Sequence, residues 1–303
     1  MSSWSRTALR ARSLRSLAAI LVSLAIASCS GGGDDFDPDL FAVQFADNAF
    51  VAVGEESTIA NSGDGVTFLL QVVAPLGSLL GLTFGDGVWV TSGKDGLVFT
   101  STDTAIWFQQ FIDTSRTMRG AGFGDGTYVL VGDQGNCFTS TNAGAWSGRF
   151  TGVTADLQSV TFGNGLFVAV GKEGTIISSP DAVQWTIESS GTSEELFAVA
   201  YGGGAFFAVG RGGTILRSVD GDGWTAAASG TTRNLTAVTV AAGLVVVVGQ
   251  GGTILTSPDG IDFTPRDSGT GRDLFGVTYG NGLFVAVGEN ARIVNSSDGI
   301  TWF

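Results

Sequence analysis

Leu40, Leu79, Met118, Leu157, Leu196, Leu235 and Leu274 recur at every thirty-ninth position, with no insertion or deletion between them. Self-similarity at one fixed period of this size marks stacked supersecondary units, each of which buries its apolar face only against its neighbours. The repeat therefore constrains the fold before any single motif does. What differs between the copies is where function has to be sought.

Each copy opens on a short apolar run such as Leu157–Phe162, which predicts a half-buried strand. The run ends on Gly163-Asn164-Gly165, with Gly85-Asp86-Gly87, Gly124-Asp125-Gly126, Gly202-Gly203-Gly204 and Gly280-Asn281-Gly282 at the same phase. Asn-Gly and Asp-Gly supply the positive φ angles that tight hairpins need. A second strand follows, as in Leu166–Val170, apolar without alternation and so expected to be covered on both faces. It always closes on Gly: Gly54, Gly93, Gly132, Gly171, Gly210, Gly249 and Gly288. A polar turn leads to a third strand ending in Ser, as in Thr175–Ser179, and a fourth runs from an aromatic residue toward a Ser-Gly-Thr loop. Four strands within one such period is the size of one propeller blade. The sequence predicts an all-β, seven-bladed β-propeller over 40–303, with four antiparallel strands per blade.

Two residues beyond the serine stands Asp64, Asp103, Asn142, Asp181, Asp220, Asp259 or Asp298, and four beyond that Phe68, Trp107, Trp146, Trp185, Trp224, Phe263 or Trp302. These Ser-x-Asp-Gly-x-x-Trp segments resemble the Asp-box of sialidase-type repeats, shortened by one residue. The array from Leu40 to Phe303 resembles bacterial propellers grouped with photosystem II assembly-factor-like proteins and related WD/YVTN-type repeat lipoproteins. The resemblance implies a propeller and leaves function open, because this repeat serves unrelated roles. A catalytic site needs dissimilar groups converging on one point, whereas a repeated Asp recurs once per blade around a rim. The Asp is read as the acceptor of an Asx-type turn and the aromatic as packing between sheets, with roughly 2–3 kcal/mol of burial each. Asp220-Gly221-Asp222-Gly223 lacks the ligand spacing of a calcium loop and is read as a turn. No metal and no cofactor are expected.

The hairpin and Asp-Gly turns should lie on one face of the disc, and the loops that vary on the other. Two residues before each repeat start, the variable face reads Pro38, Gly77, Arg116, Ala155, Glu194, Arg233 and Arg272. Just after the strand-closing Gly it reads Glu55, Lys94, Asp133, Lys172, Arg211, Gln250 and Glu289. Arg116, Arg119, Arg233, Arg272, Glu194, Arg211 and Lys172 are the candidate binding residues, since Arg reads carboxylates well. The alternative is that these cations balance a very acidic body.

Seven repeats from Leu40 would run past Phe303 to position 312, and the missing phases fall on Gly31–Asp39. Residues around Phe36 are therefore expected to lie along the seventh blade and latch the ring.

Residues 1–28 are read as a secretory signal: Arg6, Arg10, Arg12 and Arg15 precede an apolar run, Leu17–Ala27, too short to span a bilayer. Ile26-Ala27-Ser28-Cys29 resembles the bacterial lipobox, which implies lipidation of Cys29 and a membrane anchor. Ser30 after it resembles the signal for outer-membrane sorting, and 29–39 would be tether and latch. Net charge is −13, with 15 cations against 28 acids; four cations and no acid precede Cys29, so a product starting there has 11 against 28, or −17. Such a surface repels phosphate backbones, and nucleic acid is not expected as a partner. Cys137 takes the phase of Ile59, Val98, Ile176, Ile215, Ile254 and Ile293 and is expected to be a buried stand-in for a small hydrophobe.

The functional expectation is a monomeric, non-catalytic lipoprotein of the bacterial envelope, at the outer membrane, that holds a protein or glycan on its variable face. A sialidase-like glycoside hydrolase and a generic surface adhesin are the alternatives. The first would need an Arg cluster, a Tyr-Glu pair and an acid Asp in a central pocket. The tyrosines, Tyr128, Tyr201 and Tyr279, all occupy hydrophobic strand phases, and the chain has no His.

Overall fold

The computed structural model describes residues 37–303. The fourth repeat shows how the pattern folds. Leu157–Gly163 pairs antiparallel with Leu166–Gly171, which pairs with Ile176–Ser179, which pairs with Thr186–Glu188. Both central residues of the first hairpin turn are left-handed, Asn164 at φ 51° and Gly165 at 74°, as the Asn-Gly pair predicts. After Gly171 the chain makes a single tight turn, Lys172–Gly174, through Glu173 at φ 58°.

Seven such sheets stand around one axis. The first strands of the seven sheets, Leu40–Ala46, Leu79–Gly85, Met118–Gly124, Leu157–Gly163, Leu196–Gly202, Leu235–Ala241 and Leu274–Gly280, are the inner ones. Each touches the next, and Leu274–Gly280 touches Leu40–Ala46, so the ring is closed. The molecule is a seven-bladed β-propeller.

The core lies between sheets rather than within them. Val51, Val53 and Ile59 of the first blade pack with Leu79, Trp89, Phe99 and Trp107 of the second. On the other face of the same sheet, Phe50, Ala52 and Ala60 pack with Val285 and Val287 of the seventh. That is why the second strand carries no polar alternation: both of its faces are buried.

The repeat predicts four strands for every blade; six blades have them, and among the described residues the seventh has three, Leu274–Gly280, Leu283–Gly288 and Ile293–Ser296. Phe303 stands at its fourth-strand position, exchanging two backbone hydrogen bonds with Asn295 (3.0 and 3.1 Å). Phe36, central to the predicted latch, lies outside the described residues. Pro38 and Asp39 lie within them and join the first blade to the seventh. Ala291 N–H donates to the Pro38 carbonyl and Asn290 N–H to Asp39 Oδ1, both at 2.8 Å. The same link to the following blade recurs from Gln134 N–H to Asp156 Oδ1 (2.8 Å) and from Gly251 N–H to Asp273 Oδ1 (2.7 Å).

Candidate functional site

The two faces of the disc are chemically unlike. On one lie the hairpin turns and the Ser-x-Asp turns, of which the latter repeat the same bonds from blade to blade. Asp181 Oδ1 accepts from Val183 N–H (2.8 Å) and Gln184 N–H (2.9 Å), while Ser179 Oγ donates to it (3.0 Å). Asp64, Asp103, Asp220, Asp259 and Asp298 do the same in their own blades, and Asn142 Oδ1 accepts from Gly144 N–H and Ala145 N–H (3.0 and 2.9 Å). The donated amides hold the six carboxyls below the usual carboxylate range. The indole N–H of Trp107, Trp146, Trp224 and Trp302 donates to the carbonyl three residues back, closing each turn. Trp185 makes no such bond; its Nε1 is buried without a partner, although the ring packs among its neighbours.

The variable face is built from the turns after the second strands and the loops before the first strands. One backbone bond organises it. In every blade the amide after the strand-closing Gly donates to the carbonyl just before the inner strand, at 2.8 to 3.0 Å. The side chains of those two residues, such as Asp156 and Lys172, are thereby set side by side, close to the axis. A third joins them because the pairing of first and second strands shifts register after the opening residue, in the fourth blade between Leu157 and Ser159. The residue left at that bulge is Phe41, Leu80, Arg119, Gln158, Phe197, Thr236 or Phe275, half-buried in each blade.

The structure divides the predicted binding residues among these positions. Arg119, at a bulge, pairs with Asp133 of its own blade (2.6 Å). Lys172 pairs with Asp156 (2.7 Å) and Arg211 with Glu195 (2.8 Å), each across the backbone bond just described. Hydrogen bonding to the Lys172 ammonium, and then to Gln134 N–H, holds the Asp156 carboxyl below its ordinary range. The bond to Asp156 in turn raises the lysine. Such pairs are partly exposed and screened by solvent, so they fix direction more than stability. Arg233 and Arg272 sit in the loops before their blades, with Nη1 donating to the Gly251 carbonyl (2.9 Å) and the Asn290 carbonyl (3.3 Å). Arg116 and Glu194 occupy the same loop phase in the third and fifth blades, and both are exposed. The seven residues thus share a face without converging on one pocket. Sequence reasoning passed over their partners Asp133, Asp156 and Glu195. The available signal was complementary charge between two columns of the repeat, the one holding Asp156 and Glu195 and the one holding Lys172 and Arg211.

Tyr128 is buried, its hydroxyl donating to the Gly85 carbonyl of the preceding blade, and burial pushes it up to about 12. Tyr201 and Tyr279 stack on Phe206 and Phe284 at centroid distances of 4.7 and 4.6 Å. Cys137 is buried and free, its thiol pushed up to about 12 by desolvation. Cys29 lies outside the described residues. Among those described, no helix is long and apolar enough to cross a membrane.

This arrangement of blades is shared with solved structures. One described as YCF48 bound to D1 peptide superposes with a TM-score of 0.71 over 92% of this chain and 94% of that one, at 15% identity. YCF48 from Cyanidioschyzon merolae gives 0.59 over 74% and 84%, at 19% identity. The computationally designed Ika8 protein gives 0.63 over 86% and 96%, at 14% identity. The likeness is one of fold. No family model matches the chain, and no curated protein matches it in sequence.

Proposed function

We propose that this chain is a non-catalytic lipoprotein of the bacterial envelope that holds a protein partner on the variable face of its propeller. One observation carries the reading: the polar groups of one face are tied up in near-identical turns, while the other face changes chemistry from blade to blade. A repeated scaffold with a face that varies in this way has the organisation of a recognition surface on a rigid support. The solved structure of YCF48, alike in fold, contains a bound peptide, which favours a polypeptide over a glycan as partner. Against catalysis stands the placement of the recurring carboxylates, each held by the amides of its own turn at the rim. The anchor rests on the lipobox-like Ile26–Cys29.

A photo-crosslinking residue at Glu194, on the variable face, compared with one at Asp125, on the opposite face, tests the proposal in the cells that make the protein. Adducts from position 194 and not from 125 are expected. Equal adducts from both, or none from 194, refute it. Metabolic labelling with an alkynyl fatty acid tests the anchor: a label that survives Cys29→Ala refutes that part alone.

A further inference from the structure

The repeat carries its own control experiment at the axial end of the variable face. In the third blade Asp133 is cancelled by Arg119 at the bulge; in the fourth and fifth the two positions joined by the backbone bond cancel, Lys172 with Asp156 and Arg211 with Glu195. In the seventh and first blades, which are neighbours, the same two positions hold Asp273 with Glu289 and Asp39 with Glu55. The backbone bond that sets each pair side by side is unchanged, at 2.9 and 3.0 Å. Four carboxylates therefore occupy positions where the fourth and fifth blades balance acid with base. Among the described residues they meet backbone amides only: Asn290 N–H at Asp39, Gly251 N–H at Asp273, and the Asp39 and Asp273 amides at Glu55 and Glu289. Arg272, the cation before this blade, is turned onto the Asn290 carbonyl.

A second observation, of apolar surface, falls on the same two blades. Their bulge residues are Phe275 and Phe41, half-buried, with ring centroids 5.7 Å apart. Elsewhere on the ring, bulge residues reach one or the other of two charged positions. Arg119 bonds the residue after Gly in its own blade, and Gln158 Nε2 bonds Glu195, before the inner strand of the next (2.8 Å). By the same geometry Phe275 lies toward Glu289 and Asp39, and Phe41 toward Glu55, while Asp273 falls on the side of the sixth blade, where Gly251 N–H meets it. Among the described residues no three His, Cys, Asp or Glu side chains converge as metal ligands.

We infer that the axial end of the variable face at the seventh and first blades binds a lysine or arginine side chain of an extended, basic peptide segment in the protein partner. The reading rests on the variable face being the partner-binding face, and it names the chemistry recognised there. The incoming cation takes the place that Lys172 and Arg211 fill in their own blades. The Phe faces attract it and cover its aliphatic stem. An apolar residue beside it in the segment lies over the remaining ring surface. Charge complementarity selects this occupant: an acidic segment meets four carboxylates, and a purely apolar one leaves them beneath it unpaired.

The test is selection of displayed random dodecapeptides on the purified chain, followed by fluorescence anisotropy of the enriched peptides. Enrichment of peptides with Lys or Arg beside an aromatic or aliphatic residue is expected. Glu289→Lys, which restores the acid–base pairing of the fourth blade, should weaken them at least tenfold. Asp222→Lys makes the same change in net charge on the opposite face and should weaken them less than twofold. Phe41→Ala should weaken them about fivefold, and replacing the peptide's cation by norleucine should abolish binding. Enrichment of acidic or uncharged peptides, equal loss in the two Lys variants, or no enrichment overturns the inference. Crosslinking from position 194, read separately in a Glu55→Gln/Glu289→Gln chain, shows whether the face still holds its partner by other residues. Its persistence there, together with a failed selection, sinks this site and spares the proposed function.

Discussion

Gly171→Ala is the most informative single change to the scaffold, because its effect is invisible to backbone-angle reasoning. Gly171 has φ −169°, an extended conformation open to any residue. The obstacle is space. A Cβ there would sit 2.1 Å from the Asp156 carbonyl oxygen and 3.0 Å from Leu157 Cα, both backbone atoms. Ordinary contact begins at about 3.4 Å, so the inner strand has to part from the turn by roughly 1.3 Å. That movement breaks the Lys172 N–H to Asp156 carbonyl bond and strains Gly171 N–H to Thr175, both 2.9 Å. Overpacking costs about 1–3 kcal/mol and each lost hydrogen bond about 1, giving about 2–5 kcal/mol. For a chain of this size that lowers the melting temperature by about 5–15 °C. Gly165→Ala is the comparison. Its φ is 74° and a Cβ there meets nothing within 4 Å, so only the left-handed penalty of about 1–2 kcal/mol applies, partly offset in the unfolded chain. Urea and thermal unfolding followed by tryptophan fluorescence should place Gly171→Ala well below Gly165→Ala. Equal losses, or the reverse order, would refute the close-approach argument.

Other outcomes follow from the turns and the core. Asp181→Asn should melt close to the parent, since Asn142 already makes the same two bonds, whereas Asp181→Ala should melt lower in the same scan. The six turn carboxyls titrate below their ordinary 3.8 in the folded chain, so the stability they contribute is present above that value. It is lost as pH falls through their lower folded values, and urea midpoints measured from pH 5 to pH 2 should fall in that window, less so when all six are Asn. In a Cys29→Ser chain, Cys137 should resist a thiol reagent at pH 8 until the protein is unfolded. Because its folded value of about 12 exceeds the ordinary 9.0, it should also cost stability as pH rises between the two. Tyr128→Phe removes the hydroxyl bond to Gly85 between the second and third blades and should cost about 1 kcal/mol in urea unfolding.

Some of the molecule could be read from left to right. Strand boundaries follow from apolar periodicity, the hairpins from Asn164-Gly165 and its equivalents, and the number of blades from counting. Cys137 was placed by its isoleucine phase and is buried in the structure. The variable face was harder. Scarcity of positive charge drew attention to Arg116, Arg119, Arg233 and Arg272 as a group, yet they serve different ends. Arg119 is neutralised by Asp133, Arg233 and Arg272 cap turn carbonyls, and Arg116 stands exposed.

By itself the sequence determined the period, the strands and the turns, because those depend on local chemistry repeated seven times: Gly at positive φ, apolar alternation, an Asp facing its own amides. Only the tertiary structure decided which side chains meet. Asp39 stands beside Glu55, and Asp273 beside Glu289, because an antiparallel pair closes back on itself with a bulge. The blades then set Phe41 against Phe275, from the opposite end of the repeat array. No local signal carries that distance. Asp39, Glu55 and Glu289 beside those rings read as loop composition until the ring is closed.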